Sequence, residues 1–243
     1  MKVIAIIPAR YASTRFPGKP LVSIQGKTMI RRVVEQVQQV PGLLDIIVAT
    51  DDERIEAEVK SFGGKVVQTS PDHPSGTDRV YEAYIKSGIT CDFILNVQGD
   101  EPFIQPEQIQ NLLSVLQPST ELATLVKPIQ DGTQLGNPNI VKAVFSDSGN
   151  AIYFSRNPIP FLRGNTPMED WTKQANYYKH IGMYAYRSDI LEKITRLQPS
   201  PLELAESLEQ LRWLENGFKI QTAITQLETI GIDTPEDLKK LPI

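Results

Sequence analysis

Four short apolar runs, each parted from the next by one amphipathic stretch, constrain what this chain can fold into more than any other feature. Val3-Ile4-Ala5-Ile6-Ile7 is continuous and ends at Pro8, as expected of a strand buried on both faces. Met29, Ile30, Val33, Val34, Val37 and Val40 then recur at helical spacing until Pro41-Gly42. Asp45–Thr50 reads as a second strand, Glu53–Phe62 as a helix closed by Gly63-Gly64, and Lys65–Thr69 as a third strand. A helix from about Thr77 stops at Gly88, and Phe93–Gln98 is the fourth strand. Strands separated by single helices imply right-handed crossovers and a parallel sheet covered by helices.

The rhythm changes after the helix that opens at Pro106. Ile140–Phe145 and Ala151–Phe154 flank Asp147-Ser148-Gly149-Asn150, a hairpin signal. Asn157–Thr172 holds three prolines and Gly164 and reads as a long loop. Tyr178–Tyr186 reads as a strand, Leu202–Asn216 as one helix closed by Gly217, and Ile220–Leu227 as the last strand. On a single helix, Leu204, Leu208 and Leu211 share one side. Glu206, Glu209, Gln210 and Trp213 share the other, which predicts a polar face with a tryptophan set in it as a pocket wall or a contact with another chain. Thr234-Pro235-Glu236-Asp237 has the cap, first-turn proline and acidic first turn of a final helix. The expected fold is one α/β domain over residues 1–243, a mostly parallel sheet flanked by helices with a smaller mixed β lobe. Its halves fall at about 1–130 and about 131–243.

Composition narrows the function. The 243 residues carry 25 Lys+Arg against 29 Asp+Glu, a formal charge of −4, which argues against a general nucleic-acid binder. One cysteine, Cys91, leaves no intrachain disulfide and no CxxC site, and two histidines leave no His-rich metal cluster. Any metal must be held mainly by oxygen, which points to Mg²⁺ or a similar hard ion. The apolar start is too short for an export signal and runs at once into Pro8, Arg10, Arg15 and Lys19. No stretch approaches the roughly 18 apolar residues of a membrane span. A cytoplasmic protein without membrane insertion is expected.

The densest chemistry follows the first run: Pro8-Ala9-Arg10-Tyr11-Ala12-Ser13-Thr14-Arg15-Phe16-Pro17-Gly18-Lys19-Pro20. Ligands of an open parallel sheet bind beyond the carboxyl ends of its strands. Three cations, small residues and a glycine in that place suit a polyphosphate. Gly26-Lys27-Thr28 resembles a Walker A tail, but Leu21 stands where the earlier glycine is required. No GxGxxG follows the strand either, so a dinucleotide is disfavoured. Asp100, in Gln98-Gly99-Asp100-Glu101-Pro102, suits either a metal or a helix cap, and so does Asp233. Ser75 or Thr77 caps the helix after His73-Pro74, an N-terminus able to bind an anion. Arg156 and Lys179-His180 supply cationic groups for an acidic ligand, although a lone histidine is more often structural.

The opening Ile7-Pro8-Ala9-Arg10…Ser13-Thr14-Arg15…Pro17-Gly18-Lys19-Pro20-Leu21 resembles the signature of sugar-acid cytidylyltransferases, with Phe16 where leucine is common. Ser75–Arg79, Asn96–Pro102, His180–Gly182, Glu206–Arg212 and Gly231–Thr234 extend the likeness along the whole chain. Together they narrow it to the branch that activates 3-deoxy-manno-octulosonate (KDO). The resemblance implies Mg²⁺-dependent transfer of CMP from CTP to the anomeric oxygen of KDO, releasing pyrophosphate, for lipopolysaccharide or a related glycan. An amino-KDO or sialic acid is the alternative sugar. It implies catalytic roles for Arg10, Lys19 and Asp100, and nucleotide contacts from Pro8, Ala9, Arg10, Arg15, Lys19, Ser75, Asp78 and Arg79. Metal would sit on Asp100 and Asp233, and Gln98, Arg156, His180, Tyr184, Glu209 and Gln210 would line the sugar site. A homodimer formed through the second half, with an exposed Trp213, is also implied. A metal-dependent glycosyltransferase would usually show a DxD acid pair, which Asp100-Glu101-Pro102 is not. A non-catalytic nucleotide binder would have no reason to combine both aspartates with a separate polar sugar site.

Overall fold

A computed structural model describes residues 1–12, 16–228, 231–232 and 234–240. In chain order its strands and helices are β1 (Val3–Ala9), β2 (Ser23–Ile24), β3 (Lys27–Thr28), α1 (Met29–Val37), β4 (Leu43–Thr50), α2 (Glu53–Ser61), β5 (Lys65–Gln68), α3 (Gly76–Ser87), β6 (Phe93–Asn96) and α4 (Pro106–Ser114). They continue as β7 (Leu122–Pro128), β8 (Lys142–Phe145), β9 (Ala151–Ser155), β10 (Tyr178–Arg187), α5 (Ser188–Thr195), α6 (Pro201–Glu206), α7 (Glu209–Glu215) and β11 (Ile220–Ile224). Two compact units interleave along the chain: Met1–Gln110 with Ala185–Thr195 and the stretch from Glu228, and Asn111–Tyr184 with Arg196–Leu227.

The first unit is the expected parallel sheet, with β1 between β6 and β4, and β5 outside β4. Ile4, Ala5, Ile6 and Ile7 of β1 are fully buried, which is why that run carries no polar residue. The helical repeat after it places Met29, Ile30, Val33, Val34 and Val37 on the buried face of α1. Strand β1 runs two residues past Ile7, because Pro8 and Ala9 still pair with Ala49 and Thr50 of β4. The β6 ladder stops at Ile6↔Asn96, so the proline, which has no N–H, falls where only one neighbour remains. This carries the backbone straight into the Pro8-Ala9-Arg10 segment.

In the second unit β7 pairs in parallel with β11, from Leu122↔Ile220 to Val126↔Ile224. The β8–β9 hairpin forms about Asp147–Asn150 as expected, and β8 pairs antiparallel with β10. Strand β7, not expected from the sequence, carries the apolar run Leu122-Ala123-Thr124-Leu125-Val126. The reading of Leu202–Asn216 as one helix is corrected: it breaks between α6 and α7 at Ser207, whose φ of 51° and ψ of 50° are left-handed. One left-handed residue resets the helical phase, so Leu208 and Leu211 stay buried as expected while Leu204, Gln210 and Trp213 depart from the faces of a continuous helix. Leu204 is 69% exposed, whereas Gln210 and Trp213 are buried. The helix expected after Thr234 is present as a 3₁₀ helix, Pro235–Lys240.

Candidate nucleotide-binding site

The end of β1 opens into a cavity of about 400 Å³ built entirely from the first unit. Pro8, Ala9 and Arg10 form one wall, and Lys19 and Pro20 a second. His73–Gly76 with Arg79 and the turn Gln98-Gly99-Asp100 complete it. The volume suits a nucleotide-sized ligand, and the place beyond the strand ends is where the topology predicts one.

Each wall has a local cause. Gly99 allows the turn after β6 to lie against β1, since a Cβ there would stand 2.8 Å from the Pro8 carbonyl oxygen. Ser75, rather than Thr77, caps α3: its hydroxyl oxygen accepts from the Asp78 N–H at 3.2 Å and its O–H donates to the Asp78 carboxylate at 2.6 Å. Asp78 thus belongs to the cap and does not line the cavity. Ser75 and Gly76 present the positive end of α3 to it. Arg79 is buried, donates from Nη1 to the Thr69 hydroxyl at 2.7 Å and pairs with Asp51 at 2.8 Å. One edge of its guanidinium is thereby fixed to the sheet, which makes it a preset cation in the wall.

Lys19 and Asp100 meet in this structure: the ammonium donates to the carboxylate at 2.7 Å. The candidate phosphate ligand and the candidate metal ligand therefore neutralise each other, and an incoming triphosphate and divalent cation would part them. The Ile232 N–H donates to the Asp100 carbonyl at 3.0 Å, so the C-terminal segment returns to the Asp100 turn. Asp233 and Arg15 both lie outside the described residues. Among the described residues no group of three acidic, histidine or cysteine side chains converges to hold a metal.

Two partners escaped the sequence reading. Asp51 follows β4 as Asp100 follows β6, and that equivalence was a usable signal. Glu82 was not legible, because it reaches the His73 imidazole from one turn of α3 farther along. Burial alone would raise the Glu82 pKa, but hydrogen bonds from Lys86, His73 and the Ser70 N–H bring it down to about 2. His73 therefore faces a permanent carboxylate and lines the cavity.

The sugar-acid candidates divide between the units. Gln98 lines the cavity of the first. In the second, His180 packs beside Phe154 and Tyr184 at ring separations of 5.0 and 5.3 Å, with Nε2 2.9 Å from the Thr124 hydroxyl. The residue keeps some exposure, yet enclosure of the ring pushes its pKa down to about 3. Tyr184 stacks edge-on against Trp213 at 5.0 Å. With Trp213 only 1% exposed, the expectation that it contacts another chain is corrected: it is core. Glu209 and Gln210 open α7, and Arg156 directs its guanidinium at backbone carbonyls.

A helix-covered parallel sheet with a cationic cavity past its strand ends defines a nucleotide-binding α/β protein. A cytidylyltransferase family model matches residues 4–221. The 3-deoxy-manno-octulosonate cytidylyltransferase of Cytophaga hutchinsonii is 62% identical over 99% of this chain and 96% of its own, and that of Bacteroides thetaiotaomicron is 60% identical over 98% and 96%. A solved CMP:2-keto-3-deoxy-manno-octonic acid synthetase complexed with CTP superposes with a TM-score of 0.91 at 43% identity, covering 99% of this chain and 96% of that one. The chain belongs to the cytidylyltransferases, in the 3-deoxy-manno-octulosonate group.

Proposed function

We infer that this chain transfers CMP from CTP to the anomeric oxygen of KDO, giving CMP-KDO and pyrophosphate. The observation that carries the reading is the cavity in which Arg10, Lys19, Arg79 and the α3 N-terminus converge beside Asp100, in a chain 62% identical to a protein named for this reaction. The new bond joins the sugar oxygen to the α-phosphorus. The bond that breaks joins that phosphorus to the oxygen leaving with pyrophosphate. Such a displacement needs alignment and charge neutralisation more than a covalent enzyme group. Arg10 and Lys19 hold the triphosphate and stabilise the departing charge, joined by Arg15. Pro8 and Ala9 shape the backbone against the nucleotide, and Ser75 and Arg79 set its other side, with Asp78 holding the Ser75 hydroxyl in place.

Asp100 and Asp233 would hold Mg²⁺, whose chemistry is to neutralise phosphate charge and orient the reacting oxygens. The donors fit: a carboxylate at the cavity with phosphate oxygens suits a hard cation, and the Ile232–Asp100 backbone bond brings the residue before Asp233 to that carboxylate's turn. For the sugar acid we assign Gln98, His180, Tyr184, Glu209 and Gln210, with Arg156 in support. His180, neutral at physiological pH, would serve as a hydrogen-bonding group rather than a cation. No helix among the described residues is long and apolar enough to cross a membrane. We place the reaction in the cytoplasm, where CTP is made, ahead of lipopolysaccharide or a related glycan. A homodimer through the second unit is supported by its exposed Ile152, Phe161 and Leu204, and sedimentation would test it. Incubation with CTP, Mg²⁺ and a panel of KDO, amino-KDO and sialic acid, followed by pyrophosphate release, tests the function. Release with KDO above the others is expected, and none with any sugar would refute the assignment.

A further inference from the structure

The second unit contains a fully buried lysine, Lys142, that the proposed chemistry does not use. Its three ammonium donors meet three backbone carbonyls: Asn137 at 3.1 Å, Ile140 at 2.6 Å, and Arg156. Burial lowers its pKa, while the Glu206 carboxylate opposes that shift and Arg156 adds to it. Glu206, the last residue of α6, reaches back to the end of β9. There it accepts from the Ser155 hydroxyl at 2.6 Å and from the Arg156 N–H at 2.9 Å. The Arg156 guanidinium completes the ring of bonds. Its Nε donates to the Glu206 carbonyl at 2.6 Å, Nη2 to that of Ser207 at 3.2 Å and Nη1 to that of Pro138 at 2.9 Å.

Three of the five N–H groups of this guanidinium, one on each nitrogen, are committed to carbonyls of its own chain, which fixes its place and orientation before any ligand arrives. What the bonds enclose is the helix break. The carbonyls of Glu206 and Ser207 end α6, where intrahelical donors run out, and Arg156 supplies the missing donors. Ser207 there adopts a left-handed conformation, φ 51°, which an L-residue holds only when its surroundings insist. Two residues on, α7 begins with Glu209 and Gln210, and Gln210 is 6% exposed.

We propose that Arg156, backed by Lys142 and Glu206, is a positioning residue that holds the left-handed break at Ser207 and so sets where α7 places Glu209 and Gln210. The proposal rests on the sugar-acid reading of those two residues. It assigns Arg156 an indirect role in recognition, through the backbone rather than through the ligand.

The discriminating experiment pairs Arg156→Gln with Ser207→Gly, because glycine enters the left-handed region without a Cβ penalty. Steady-state kinetics with CTP and KDO are run beside amide hydrogen exchange of residues 206–212. Arg156→Gln is expected to raise KM for KDO by about tenfold with KM for CTP nearly unchanged, the signature of lost acceptor binding. Exchange across 206–212 should accelerate. Adding Ser207→Gly should recover roughly fivefold in KM and slow that exchange, since the left-handed penalty is gone. Arg156→Lys keeps the charge and loses the fork, so it should resemble Arg156→Gln. An unchanged KM for KDO in Arg156→Gln would overturn the proposal. So would full function in Arg156→Lys, or a raised KM that glycine does not relieve while exchange stays as in the unaltered chain. If the unaltered chain releases no pyrophosphate from CTP and KDO, the sugar reading fails instead, and the exchange data alone decide the clamp.

Discussion

His180 and Lys19 show how single side chains take opposite electrostatic states in one protein. The His180 pKa of about 3 comes from burial, so in the folded chain the ring stays neutral where an unfolded histidine, near 6.5, would charge. Between those two values the unfolded chain binds the extra proton, so stability rises with pH there. The contribution is complete above about pH 6.5 and is lost progressively as pH falls toward 3. An NMR titration of the His180 ring should give a midpoint well below 5, whereas a midpoint near 6.5 would show that the ring is not enclosed. Lys19 is the contrary case, a charge kept in place by Asp100 at 2.7 Å. Lys19→Ala removes the cation that would pass to the triphosphate and leaves the carboxylate behind to repel it. Loss of one charge-assisted contact costs about 1.5–3 kcal/mol, so calorimetry should find CTP affinity down by roughly tenfold or more. Equal affinity in the variant would remove Lys19 from the phosphate site.

Between strands, one tight constraint at the cavity is the contact of the β6 turn with the end of β1. A methyl at Gly99 would stand 2.8 Å from the Pro8 carbonyl, and backbone on the far side cannot yield as a flexible side chain can. Gly99→Ala is expected to cost about 1–3 kcal/mol, as overpacking does, and to raise KM for CTP because Pro8 and Ala9 are pushed from their place. Thermal melts and kinetics on the purified variant check both, and a variant normal in each would show the approach to be slack. Elements of this kind were readable from the sequence where the signal is local. The four early strands and α1 to α3 follow from periodicity, and the Asp147–Asn150 turn from its composition. The break at Ser207 was not readable, since serine rarely marks a left-handed residue and its partner Arg156 stands just past β9, some 50 positions away. For the same reason Arg156 reads in the sequence as a cation awaiting a ligand, and Trp213 as exposed. At the nucleotide cavity, the cationic loop, the Ser75 cap and the Asp100 turn were legible because their strand ends were. The Arg79–Asp51 and His73–Glu82 pairs needed the fold to bring them together.

Across the whole molecule, ligand binding becomes a stability measurement. Any ligand that binds only the folded chain stabilises it, by about 2.7 kcal/mol at a hundredfold excess over Kd, and so raises its melting temperature. For a protein of this size that corresponds to about 5–10 °C. CTP alone would meet the Asp100 carboxylate with only the arginines, Lys19 and the α3 N-terminus to offset its charge, so its shift should be modest. Mg²⁺ added with CTP should enlarge it, because a divalent cation between carboxylate and triphosphate converts repulsion into attraction. Asp100→Asn and Asp233→Asn separate this from a structural role. Asparagine caps a turn nearly as well as aspartate, so if either residue is only a cap, its variant melts normally and still responds to Mg²⁺. If both hold the metal, each variant should melt near the unaltered temperature without ligand and keep a shift with CTP alone. Each should then lose most of the increment that Mg²⁺ adds, together with most of its turnover. The Lys19–Asp100 pair sharpens the expectation: Asp100→Asn releases Lys19 from its carboxylate, so the shift with CTP alone should equal or exceed that of the unaltered chain even as the metal response disappears. A full Mg²⁺ increment in both variants would refute the two-aspartate site.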